Sequence, residues 1–151
     1  MSAVFLKADI VRANGETHET LLAEPLGDDL YELKSIPNLI TTLNYDDIVK
    51  AVGDPLTITD VVVPSGYQTF RMVFLKGTSK KVHQEVAHSL RRWEATAQLV
   101  YEGLYAISVS PDGDIQAVRT YLDELKHRQI LLYEPTTPLD QLLLISVENK
   151  V

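Results

Sequence analysis

Between Leu75 and Ser79 the hydrophobic period of this chain changes, and that change limits the folds open to it. Before it, short apolar runs are punctuated by turn residues. After it, apolar residues recur at three- and four-residue intervals. Val4 to Val11 is apolar-rich and runs into Asn14-Gly15, a strong turn signal; Thr20 to Ala23 and Leu30 to Ile36 flank a second turn at Gly27-Asp28-Asp29. Ile48 to Val52 and Thr57 to Val63 are separated by Gly53-Asp54-Pro55, and Pro64-Ser65-Gly66 leads into Tyr67 to Leu75. Along that last run Phe70, Met72 and Phe74 share one face, while Arg71 and Val73 share the other. Short strands punctuated in this way predict a small barrel or a strongly bent sheet.

Val82, Val86, Leu90, Trp93 and Ala97 then recur on one helical face, with Ser79 as N-cap; the period allows the helix to run on to Tyr101, and the strand propensity of Gln98 to Tyr101 sets its expected end near Glu94. Lys80 and Lys81 sit just inside that cap, where the helix dipole disfavours them. Gln98 to Tyr101 and Leu104 to Val109 read as a hairpin turning at Glu102-Gly103. Ile115, Val118, Leu122 and Leu125 predict a second helix capped by Asp112 or Asp114, and Gln129 to Glu134 a closing strand. The fold class is therefore α+β. Residues 1–66 form a barrel-like part, and residues 67–138 a ferredoxin-like part with the order strand, helix, strand, strand, helix, strand. The tail 139–151 is apolar enough, through Leu142 to Ile145 and Val147, to pack as a further strand.

Charge and composition narrow the function classes. Without cysteine there is neither a disulfide framework nor a thiolate metal site, which fits a reducing cytoplasm. No leader with a basic start and apolar middle is readable, and no apolar run approaches the ~18 residues of a membrane span, so a soluble protein with no membrane partner is expected. The net charge of −7 is uneven: residues 1–60 hold eleven acids against four bases. A nucleic-acid partner is not expected, because phosphate binding needs a basic stripe. Lys76, Lys80, Lys81, Arg91 and Arg92 gather, and read as a solvated helix face.

The chemistry-bearing residues form no catalytic pattern. His83 and His88 are five apart, about 140° around a helix, so they are not a ligand pair; no metal and no cofactor is expected. Ser65 lacks the flanking glycines of a nucleophile elbow and reads as a turn residue, and no phosphate-cradling glycine string occurs. The acid pairs Asp28-Asp29 and Asp46-Asp47 sit at turns, where aspartate caps its own backbone, or alternatively offers an acidic docking surface.

Glu24-Pro25-Leu26-Gly27-Asp28, then Tyr31, Ile36-Pro37, Asp46-Asp47-Ile48-Val49, Val63-Pro64-Ser65-Gly66, Arg71, Tyr105-Ala106-Ile107 and Asp114-Ile115 follow one another in an order that resembles the bacterial domain of unknown function 4265, from about Leu22 to Tyr133. The resemblance implies the two-part architecture and no activity. Where that family commonly has a histidine after the Ser-Gly pair, this chain has Tyr67. The expected function is a non-catalytic binding protein of the toxin-immunity kind. Asp28, Asp29, Asp46 and Asp47 would meet a basic toxin domain, and reversing Asp46 and Asp47 would leave the fold intact. The alternative is a small-molecule-sensing or regulatory ferredoxin-like domain.

Overall fold

The computed structural model describes residues 2–12 and 15–149, and the chain divides into two units, Met1–Thr69 and Phe70–Val151. In the first, β1 (Val4–Arg12), β2 (Gly15–Gly27), β3 (Leu30–Leu33), β4 (Ile48–Val52) and β5 (Thr57–Val63) close a barrel in sequence order. β1 and β2 pair antiparallel from Val4↔Ala23 to Arg12↔Gly15, so β2 is far longer than its apolar centre indicates. Its outer arm, from Gly15 to Thr17, is polar and exposed, and pairs with β1 through the backbone ladder. Asn14 of the expected turn lies outside the described residues. Inward positions alternate as the pleat demands: Leu6, Ala8, Leu21, Ala23, Leu33, Val49 and Ala51 are buried together with Ile40 and Leu43 from the β3–β4 connection.

Between β2 and β3 the chain turns through Asp28 (φ 54°) and Asp29 (φ 63°). Two successive left-handed residues give a primed turn, whose twist matches that of the flanking strands. β3 stops at Leu33 rather than Ile36. Lys34 N still reaches Leu22 O, but Leu22 N is taken by Ser35 Oγ, which ends the ladder. In the connection that follows, the Glu19 carboxylate accepts hydrogen bonds from the consecutive backbone N–H groups of Asn38, Leu39 and Ile40.

The second unit has an antiparallel sheet of order β7-β8-β6-β9, built from β6 (Gln68–Phe74), β7 (Ala95–Tyr101), β8 (Leu104–Val109) and β9 (Leu131–Tyr133), with helices α1 (Lys80–Leu90) and α2 (Ile115–His127) between strands. Ser79 caps α1 by accepting from Val82 N, and Asp114 rather than Asp112 caps α2 by accepting from Ala117 N. After α1 one tight turn, Arg91–Trp93, leads to Glu94 at φ 56°, and this left-handed residue ends the helix where the sequence predicts. Gly113 fits beneath that turn; a Cβ there would lie 2.6 Å from Trp93 O. Phe70, Met72 and Phe74 pack with Val86, Leu90, Val118, Leu122 and Leu125 into one core. Among the described residues no helix is long and apolar enough to cross a membrane.

The expectation of a C-terminal strand is overturned. Leu139–Asn149 is a helix, α3. Gln141 N and Leu142 N both donate to Pro138 O, so the proline that stops strand pairing also starts a helical turn. Leu142 and Ser146, four residues apart, are buried on one face; Ser146 Oγ donates to Glu102 O (2.7 Å) and Asn149 Nδ2 to Phe74 O (2.8 Å).

Candidate functional site

The four aspartates have three different fates. Asp28 and Asp29 are exposed at the tip of the β2–β3 turn. Asp46 is half-buried, with its carboxylate 3.0 Å from Lys34 Nζ. Lys34 also meets Glu32, and these two carboxylates raise its pKa above the usual lysine value. Asp47 is 2% exposed: its Oδ2 accepts from Asn44 N (2.9 Å) and its Oδ1 from Ser65 N (2.8 Å). It faces inward and is almost wholly withdrawn from the surface, so its reversal to lysine is expected to disturb the fold instead of leaving it intact. An acid at a sequence turn is not thereby a solvated acid.

Ser65 completes the same corner. Its Oγ donates to Tyr45 O (2.6 Å) and accepts from Tyr67 N (3.1 Å), and Tyr45 and Tyr67 meet edge to face at 5.1 Å. Two of the strings that carry the family resemblance, Asp46-Asp47-Ile48-Val49 and Val63-Pro64-Ser65-Gly66, therefore meet in space. The first holds the second's backbone. In the second unit Arg71, another of those residues, is 1% exposed and faces Glu134 at 3.5 Å.

Two surface places went unread in the sequence. Arg92 lies over the Trp93 ring at 4.1 Å and the Tyr121 ring at 5.4 Å, beside a depression of about 550 Å³ that Asp114 and Glu124 also line. The i, i+1 pair Arg92-Trp93 carries no helical-face signal that would join it to Tyr121. Elsewhere on this unit a depression of about 560 Å³ is lined by Lys80, His83, Tyr101, Glu102 and Tyr105 among others. His83 stacks on Phe74 (centroids 4.0 Å, interplanar angle 19°), and its Nε2 is buried without a hydrogen-bond partner among the described residues. Burial, then the charge of Lys80, lowers the His83 pKa; burial, then Glu102, raises that of Tyr105.

A lowered imidazole pKa has a defined consequence for stability. As pH falls below the ordinary histidine value of about 6.5, the unfolded chain takes up the proton before the folded one does. Stability is thus expected to decline from about pH 6.5 downward. His83→Phe, which keeps the ring stack, should flatten that part of the profile when denaturation midpoints are compared at pH 7 and pH 5. An unchanged slope would assign the acid sensitivity to other groups.

Among the described residues no three histidine, aspartate or glutamate side chains gather as metal ligands. The fold and these places define a two-unit α+β protein whose first unit is an acidic five-stranded barrel. The family model described as "Domain of unknown function (DUF4265)" matches residues 19–133, and the chain belongs to that family. It is also similar to a solved structure described as "Novel crystal structure of a hypothetical protein from Neisseria gonorrhoeae", with a TM-score of 0.75 and 17% identity, over 89% of this chain and 94% of that one. At this identity the likeness speaks for the fold alone. No curated protein matches the chain.

Proposed function

We propose that this is a non-catalytic binding protein whose acidic barrel engages a basic protein partner by direct contact, as an immunity protein engages its toxin. The observation that carries the reading is the division of charge. The barrel unit, Met1–Thr69, holds eleven acids against four bases, whereas Phe70–Val151 holds ten of each. The whole net charge of −7 thus belongs to one small unit, where it steers an oppositely charged protein and accelerates encounter. Asp28 and Asp29, exposed at a turn tip, are placed to meet that partner first. Asp47 is buried and the charge of Asp46 is offset by Lys34, so the exposed pair Asp28 and Asp29 leads the contact.

The test begins with a stoichiometric partner recovered from the native host. Its association rate is then measured against ionic strength, for wild type and for Asp28→Asn/Asp29→Asn. Asparagine tolerates the left-handed backbone, so the turn is kept while both charges are lost. The double variant is expected to associate about three- to tenfold more slowly at low salt, with a shallower salt dependence. Equal rates and equal slopes would remove the turn from the contact.

A second reading is favoured by the depression at Lys80, His83 and Tyr105, which suits a small-molecule-sensing domain. The sheet order β7-β8-β6-β9, with a helix after the first strand and another after the third, supports describing the second unit as ferredoxin-like. Such sheets serve many functions, so the fold itself favours neither reading.

A further inference from the structure

The barrel is closed by a short seam. β1 and β5 run parallel and share one register pair, Lys7↔Thr57, with Lys7 N donating to Leu56 O at 2.8 Å. Past that point β1 continues along β2 and β5 continues along β4. Among the described residues the two are not paired with each other again. The wedge between them is a depression of about 390 Å³, with Ala8 and Asp9 on one lip, Asp60 and Val61 on the other, and Ile40 and Leu43 also lining it.

β5 is unusual for a strand beside such an opening. Val61, Val62 and Val63 are 37%, 48% and 49% exposed, and between Thr57 and Val63 there is neither a lysine nor a proline to discourage pairing. Proteins commonly protect sheet edges with those residues, because a free row of N–H and C=O groups templates another strand. Pro64 limits the usable edge to Ile58–Val63, the length of a short added strand.

We propose that this seam is a strand-addition site, which takes an extended, basic segment of a partner protein onto the free edge of β5. Main-chain bonds to β5 supply the pairing. Alternate apolar side chains of the added strand face the wedge, and the intervening lysines or arginines meet Asp60, with Asp9, which also pairs with Lys7 at 3.2 Å, on the opposite lip. Charge selects this occupant over a second copy of the chain: pairing β5 with β5 would set two units of −7 against each other and bring both Asp60 carboxylates to one interface. The inference rests on the reading of a basic partner for the sign of the charge, not for the location.

The test uses synthetic heptapeptides of alternating lysine and valine, with glutamate–valine heptapeptides as the charge control, followed by amide resonances and hydrogen exchange of the full chain. The lysine peptide should slow exchange of amides within Ile58–Val63 about tenfold or more, and bind about tenfold more tightly than the glutamate peptide. Asp60→Lys should abolish the effect. Unaffected Ile58–Val63 amides at millimolar peptide, equal binding of the two peptides, or concentration-dependent self-association that protects the same amides would each overturn the proposal. Because the peptides replace the native partner, those failures leave the salt dependence of the β2–β3 turn as a separate measurement.

Discussion

Asp47→Ala is expected to destabilise the barrel unit by about 3 kcal/mol, an effect of the size seen when charge-assisted bonds are removed from a buried site. The carboxylate accepts from Asn44 N and Ser65 N, which lie on separate stretches of chain, and with alanine both N–H groups lose their acceptor. Asp47→Asn keeps one acceptor oxygen and should fall between alanine and wild type. Asp46→Asn is the contrast: its Lys34 pair is about one-third exposed and its bond network partly solvated, so a change within about 1 kcal/mol is expected. Urea denaturation of the three variants gives the comparison directly. If Asp47→Ala and Asp46→Asn shift the midpoint equally, the corner formed by Asp47 and Ser65 is not a stabilising feature.

In the second unit the largest single effect is expected at Glu134. Its Oε1 accepts from Arg71 N at 2.8 Å and lies 3.5 Å from the Arg71 guanidinium, while Glu134 N donates back to Arg71 O. Arg71 is 1% exposed, so Glu134→Ala takes the carboxylate away from a desolvated cation and from a buried N–H together. The expected loss is about 3 kcal/mol, within the range for breaking a buried pair from one side. Glu134→Gln retains an acceptor for Arg71 N and should lose markedly less. Equal losses for the two variants would locate the whole effect in the charge, and no loss for either would show that the pair holds nothing together.

The two acidic side chains that matter most to the barrel illustrate what a sequence can and cannot disclose. Glu19 shares its strand phase with Leu21 and Ala23, so alternation alone places it on the inward side, and a partly buried glutamate there calls for donors. That signal was legible although its partners, Asn38 to Ile40, were not. Asp47 carries a weaker form of the same sign, being in phase with the inward Val49 and Ala51 but one residue ahead of β4. It follows Asp46 at a turn, and the two are identical as letters; the left-handed φ of 65° at Asp46 accompanies one carboxylate half-exposed and the other buried.

The sequence by itself determined the element order from β1 to β9, the cap at Ser79, the choice of Asp112 or Asp114 as the second cap, the stop at Glu94 and the α+β class. Those depend on residues a few positions apart, through period, turn chemistry and capping. Tertiary structure decided the rest. The tail became α3 because Leu142 and Ser146 found a buried surface and Ser146 and Asn149 found the carbonyls of Glu102 and Phe74, partners dozens of residues away. The β1–β5 seam depends on where strands at opposite ends of the barrel meet, and on how soon they part again. Outside the tail, local physics chooses helix or strand, but only the packed chain chooses which polar groups are consumed in holding it and which edges are left for a partner.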